Sequence, residues 1–76
     1  MKIEEFNLLS EVDKYDIVFT KGTFSTYKLR GNIRLAYYLV FDFYTIIKYN
    51  ISNNEIIGIT SFKNKMFLDD GRFFAN

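Results

Sequence analysis

A chain of 76 residues with 49% apolar and 25% charged residues has the size and composition of a folded domain. We expect residues 1–76 to form a single domain. The absence of Cys and His excludes disulfides, thiolate metal sites and the commonest general base. The net charge of +1 gives no general attraction to nucleic acids. The composition therefore excludes more functions than it suggests.

The first predicted element is a helix from about Ser10 to Lys21. Ser10 followed by Asp13 is a variant of the capping box, Asn7 is the alternative N-cap, and Gly22 is a typical helix stop. Apolar residues at helical spacing predict one buried face. That face comprises Leu8, Leu9, Val12, Tyr15 and Phe19. The residues before Leu8 lie off this face and are expected to form a separate lead-in segment.

From residue 23 the hydrophobic pattern alternates with a period of two, which indicates β-strands. The predicted strands are Thr23–Arg30, Ile33–Val40, Phe43–Tyr49 and Ile56–Phe62. The first turn, Gly31-Asn32, suits a type II′ hairpin because its first position needs a positive φ. Phe41-Asp42 forms the second turn, and the Asn-rich segment 50–54 forms a loop.

The order of these elements predicts an α+β fold. Its N-terminal helix packs on a four-stranded antiparallel meander. A short C-terminal helix follows, capped by Asn64 and continuing through Leu68.

The two-residue turns fix which residues share a face of the sheet. One face has the small residue Ala36 near its middle, so we assign it to the N-terminal helix. We expect the other face, which includes Phe24 and Leu39, to stay partly exposed, because one short helix does not cover four strands. An apolar patch rimmed by charge is typical of a binding site. The predicted partner-binding residues are Lys28, Arg30, Leu35, Tyr37, Tyr44, Ile46 and Lys48. The alternative is that the lead-in and the C-terminal segment fold over this face.

The chain offers little for catalysis, a cofactor or a metal. No Ser lies in a nucleophile motif, and the four glycines form no phosphate-binding loop. The carboxylates Asp13 and Asp16 lie on the polar side of the predicted helix, and segment 50–55 lacks the spacing of a calcium loop. We therefore expect a protein that is not an enzyme and that holds no cofactor or metal.

No apolar run approaches the roughly 18 residues that span a bilayer, and acidic residues follow the initiating Met where a signal peptide is apolar. We expect no membrane partner and a location in the cytoplasm of a bacterial host cell.

Several short motifs follow one another along the chain: Lys21-Gly22-Thr23-Phe24, the strand 33–39, Phe43-Tyr44, Tyr49, Asn54, Ile56, Ser61-Phe62 and Leu68-Asp69. Their spacing resembles that of a group of short uncharacterised Bacteroidota proteins. The resemblance covers residues 19–69 and implies no established activity. In its size, its bias toward amino acids with AT-rich codons and its lack of a catalytic set, the chain is also similar in type to phage anti-defence proteins, including anti-CRISPRs. The Bacteroidota-like strands point to a type VI RNA-guided ribonuclease as the target.

The leading functional hypothesis is a small non-catalytic protein that occupies the surface of a protein partner. Its most specific version is a phage-encoded inhibitor of a CRISPR ribonucleoprotein. The first alternative is a homodimeric structural or antitoxin-like module that uses the same face. The second is a weak binder of single-stranded RNA, because tyrosines beside cations form a stacking platform. The low net charge argues against direct nucleic-acid binding.

Overall fold

The computed structural model describes residues 1–63. The helices are α1 (Ile3–Asn7) and α2 (Glu11–Lys21), and the strands are β1 (Thr23–Arg30), β2 (Ile33–Val40), β3 (Phe43–Asn50) and β4 (Glu55–Phe62). The strands form one antiparallel sheet in the order β1-β2-β3-β4. The predicted α+β fold is confirmed. The predicted C-terminal helix at 64–68 lies outside the described residues.

The lead-in contains α1, a helix that the sequence pattern did not indicate. Five residues are too few for a recognisable helical period. The Glu5 carboxylate accepts a hydrogen bond from the backbone N–H of Lys2 at 2.7 Å, which satisfies one donor at the start of the helix. Phe6 is buried, and its ring centroid lies 5.1 Å from that of Phe43. One aromatic side chain therefore anchors α1 to the sheet.

The start and end of α2 agree with the prediction, but its buried face does not. Ser10 is the N-cap, and its hydroxyl accepts a hydrogen bond from the N–H of Asp13 at 3.2 Å. The residue that α2 buries is Val18, at 1% exposure, whereas Val12 is 75% exposed and Phe19 is 51% exposed. Leu8, before the helix, is exposed as well. The predicted face of Leu8, Val12 and Phe19 is therefore wrong.

The close approach of the chain to β2 at Gly22 explains which face of α2 is buried. A Cβ at Gly22 would lie 2.5 Å from the carbonyl oxygen of Val18 and 3.2 Å from Cγ2 of Val40. The backbone of Gly22 is extended, with φ −86°, so glycine is needed here for space rather than for a positive φ. Because Val18 lies one turn before this contact, it is turned toward the sheet.

The turns set the register largely as predicted. Gly31 has a φ of 58°, as the first position of a type II′ turn requires. The pairing of β2 with β3 runs without a shift from Ile33/Asn50 to Val40/Phe43. The pairing of β1 with β2 shifts between Phe24 and Thr26, so Phe24 pairs with Tyr38 instead of Leu39. This β-bulge moves Phe24 to the other face of the sheet, which corrects its predicted position.

The two faces of the sheet carry separate apolar clusters. On the helix face, which bears α1 and α2, the buried core consists of Phe6, Val18, Val40, Phe43 and Ile47. On the opposite face, Tyr37 and Phe62 are buried, with Leu35, Tyr44 and Ile46 packed against them. The main core thus lies between the helices and strands β2–β4.

Substitution at Gly22 tests the close approach. We expect Gly22→Ala to lower the free energy of unfolding by about 1–3 kcal/mol, because the new methyl group overlaps backbone that cannot move freely. Gly58→Ala is the matched control, because nothing lies within 4 Å of its Cβ position and its φ is not positive. The control should be neutral or more stable. Equal losses in urea unfolding of both variants would contradict this packing.

The turn between β2 and β3 contains a strained residue. Phe41 has a φ of 55°, a conformation that bulky side chains rarely adopt. Phe41→Gly and Phe41→Ala both remove the ring beside Phe43, but only Gly relieves the backbone. We expect the Gly variant to be more stable than the Ala variant by about 1 kcal/mol in thermal unfolding. A more stable Ala variant would contradict the strain.

Candidate functional site

The seven predicted partner-binding residues all belong to strands β1–β3, but they differ in exposure. Arg30 and Lys48 are exposed, Lys28, Leu35, Tyr44 and Ile46 are half-buried, and Tyr37 is buried with 0% exposure. The expected exposure of Tyr37 is therefore wrong. Its side chain lies in a cluster with Phe62, a residue that also stacks on Tyr44 with ring centroids 5.6 Å apart. Tyr37 thus acts as core, and the most exposed of the seven residues are the cations Arg30 and Lys48.

The larger exposed apolar surface lies on the helix face, along β1. Phe24, Tyr27 and Leu29 are 53%, 55% and 61% exposed. A helix is about 10 Å wide, whereas adjacent strands are about 4.8 Å apart, so a single helix spans only about two strands. Helix α2 packs on β2, and α1 packs on β4. Within residues 1–63, neither helix covers β1.

Aromatic side chains beside β1 enclose a groove, which we call the β1 groove. It has a volume of about 180 Å³ and is lined by Phe24, Tyr27, Arg34, Ala36, Tyr38 and Tyr49. Ala36 is the smallest of these side chains, and it leaves space on the sheet between its larger neighbours. Tyr38 meets Phe24 edge-on at 5.7 Å and Phe19 of α2 edge-on at 6.0 Å. These contacts hold the aromatic walls in place.

Arg34 supplies the positive charge of the β1 groove. Its guanidinium carbon lies 4.7 Å from the ring centroid of Tyr49, which is the geometry of a cation–π contact. Strands β1 and β2 contain Lys28, Arg30 and Arg34 but no Asp or Glu. No carboxylate of residues 1–63 forms an ion pair with Arg34. Among the described residues, Arg30 and Arg34 therefore place positive charge on the β1 side of the sheet in a nearly neutral protein.

The phenol of Tyr49 keeps its proton at physiological pH. Burial raises the pKa of Tyr49, and the hydrogen bond and charge interaction with Tyr38 raise it further. The cation of Arg34 acts on the pKa of Tyr49 in the opposite direction. The groove thus presents the neutral phenol of Tyr49 beside the cation of Arg34, a pair of groups suited to binding by contact and hydrogen bonds.

The sequence pattern placed most of the β1 groove on the face assigned to the helix, and so these residues were missed as a site. The bulge that brings Phe24 to the groove leaves no signal in the hydrophobic alternation. Arg34 did carry a signal. In the alternation of β2, Arg34 lies on the helix face and Leu35 on the opposite face. A charged residue on the helix face indicates that this end of the face is uncovered.

Residues 1–63 were also searched for a metal site and for a membrane-spanning helix. They contain no group of three or more Asp or Glu side chains placed to hold a metal ion. No helix among them is long and apolar enough to cross a membrane.

Comparison of the chain with protein-family models, curated proteins and solved structures found no match. A functional assignment therefore depends on the geometry and chemistry of the surface itself.

The tyrosine pKa values predict an alkaline titration. Burial raises the pKa of Tyr15, Tyr37 and Tyr49 above 10. Because a raised pKa means that the folded state holds the proton more tightly, this stabilisation is complete at neutral pH and is lost as pH rises through the folded-state pKa. Absorbance at 295 nm should show a native component above pH 10 that is absent in urea. Tyr49→Phe should remove part of it, and identical native and urea curves would contradict the burial.

Proposed function

We propose that this protein is a small non-catalytic binding protein that acts by occupying the surface of a protein partner. The observation that carries the proposal is the exposed aromatic surface around the β1 groove. Phe19, Phe24, Tyr27 and Leu29 are each more than half exposed. Contiguous apolar surface beside charge is typical of interaction sites, and Tyr and Arg are enriched among the residues that dominate binding energy.

The charged rim of the opposite face belongs to the same proposal. Arg30 and Lys48 are exposed and are suited to steering an acidic partner. The half-buried residues Lys28, Leu35, Tyr44 and Ile46 form a second candidate contact region. Tyr37 is left out of the contact, because its side chain is buried.

The narrowest form of the proposal is a phage-encoded inhibitor of a bacterial RNA-guided nuclease, acting in the host cytoplasm on a type VI effector. Such an inhibitor needs a binding surface and no catalytic groups. Two features support this form: the chain lacks Cys and His, and its strand motifs at 19–69 resemble those of short Bacteroidota proteins.

Two alternatives use the same side of the sheet. A homodimeric or antitoxin-like module is favoured by the position of β1 at the edge of the sheet, because an edge strand offers unpaired backbone groups. A weak binder of single-stranded RNA is favoured by tyrosines beside Arg34, on which bases can stack. The net charge of +1 argues against the second alternative.

Inhibition of a purified type VI ribonuclease tests the narrow form. We expect the wild-type protein to block cleavage of a labelled target RNA at a near-equimolar ratio. The double variant Phe24→Ser with Tyr27→Ser should weaken inhibition at least about tenfold, because it removes two contact residues. Glu4→Gln, an exposed change on α1, which packs on β4 at the far edge of the sheet, is the control and should inhibit like the wild type. Thermal unfolding checks that each variant is folded.

Two outcomes of the cleavage assay would reject parts of the proposal, and two further measurements distinguish the alternatives. Full cleavage with excess protein would reject the nuclease inhibitor. Unchanged inhibition by the folded double variant would reject the β1 groove as the contact site. A stable dimer at micromolar concentration in light scattering favours the homodimer, and retention on single-stranded RNA that falls steeply with salt favours the RNA binder.

A further inference from the structure

We propose that the outer edge of β1 binds an extended, acidic segment of a protein partner as an added fifth strand. This inference rests on the proposed function and names the kind of partner that the β1 side takes. It follows from the backbone of β1, from the charges beside it and from the apolar residues that alternate with them.

Among residues 1–63, no strand pairs with the outer edge of β1, so its backbone offers open hydrogen-bonding groups. Strand β1 lies at the edge of the sheet, with β2 on one side. In an antiparallel hairpin with a two-residue turn, the pair that flanks the turn exchanges hydrogen bonds and the next pair does not. Here the flanking pair is Arg30/Ile33. The N–H and C=O groups of Tyr27 and Leu29 consequently point away from β2, toward the open edge.

The bulge limits where an added strand pairs. The register of β1 against β2 shifts between Phe24 and Thr26, and bulges of this kind twist an edge away from further pairing. The regular part of the edge is residues 26–30. Five residues extend about 17 Å, enough for a short recognition segment.

The side chains along this edge specify the chemistry of the added strand. Tyr27 and Leu29 lie on the helix face and are more than half exposed. Lys28 and Arg30 lie on the opposite face. Residues directly across from each other on neighbouring strands have side chains about 5 Å apart and form pairs. A complementary strand therefore places apolar residues against Tyr27 and Leu29 and, between them in the alternation, Asp or Glu against the exposed guanidinium of Arg30.

The charge of Arg30 also argues against a second copy of this chain or a nucleic acid at this edge. A second copy that pairs Tyr27 with Leu29 of its neighbour places Arg30 opposite Thr26 and offers it no carboxylate. A nucleic acid has phosphates for the cations but no backbone complementary to the open N–H and C=O groups. An acidic polypeptide satisfies both the edge and the charge.

A peptide titration followed by NMR tests this inference. The probe is a capped hexapeptide, Glu-Val-Glu-Phe-Glu-Val, and the control probe carries Lys in place of Glu. We expect the acidic peptide to slow hydrogen exchange at the amides of Tyr27 and Leu29, and the Lys peptide to bind at least about tenfold more weakly. Arg30→Glu should weaken binding of the acidic peptide about tenfold for the same reason.

Two variants isolate the backbone contribution. Leu29→Pro removes the N–H that points to the open edge, while Leu29→Ala shortens the side chain and keeps that N–H. The Pro variant should bind the acidic peptide about tenfold more weakly than the Ala variant. Equal binding by the two folded variants, equal binding of both peptides, or no change at millimolar peptide would overturn the inference. So would protection of these amides by oligouridylate or by self-association alone.

The failures of this inference and of the proposed function are distinguishable. If the peptide does not bind but Phe24→Ser with Tyr27→Ser still abolishes nuclease inhibition, strand addition is wrong and the binding function stands. If the peptide binds as expected but no nuclease is inhibited, the edge is a peptide site and the nuclease is the wrong partner.

Discussion

The close approach of α2 to β2 at Gly22 decides which part of the sheet is left uncovered. Only hydrogen fits between the Gly22 backbone, the carbonyl oxygen of Val18 and the side chain of Val40. This contact turns Val18 into the core and holds α2 over β2, while α1 is anchored near β4 through Phe6. The two helices thus cover the centre of the helix face, where Val40, Phe43 and Ile47 are buried, and the aromatic residues of β1 remain at the surface.

The sheet was predictable because its determinants are local. Two-residue turns, an Asn-rich loop and alternation with a period of two fixed the strand bounds to within a residue. The buried face of α2 was not predictable in the same way. Its apolar residues form overlapping stripes, and the choice between Val18 and Val12 depends on a contact with Val40 that is distant in sequence.

The candidate site was only partly predictable for a related reason. The opposite face and its cations were identified, but Tyr37, at the centre of β2, is core. The β1 groove was missed because the bulge after Phe24 changes the face of one residue without changing the hydrophobic pattern. A β-bulge is a feature of pairing between strands, so a single strand's sequence does not report it. The groove, the positive charge and the open edge all lie on the β1 side, which makes this side the centre of the functional account.

Amide hydrogen exchange of the free protein reports whether the outer edge of β1 is open, and binding at this edge depends on that. We expect an alternation along β1: the amides of Tyr27 and Leu29 exchange rapidly, while those of Lys28 and Arg30, bonded to β2, exchange slowly. Slow exchange at all four amides in a monomeric sample would show that the edge is already paired, and would contradict the account.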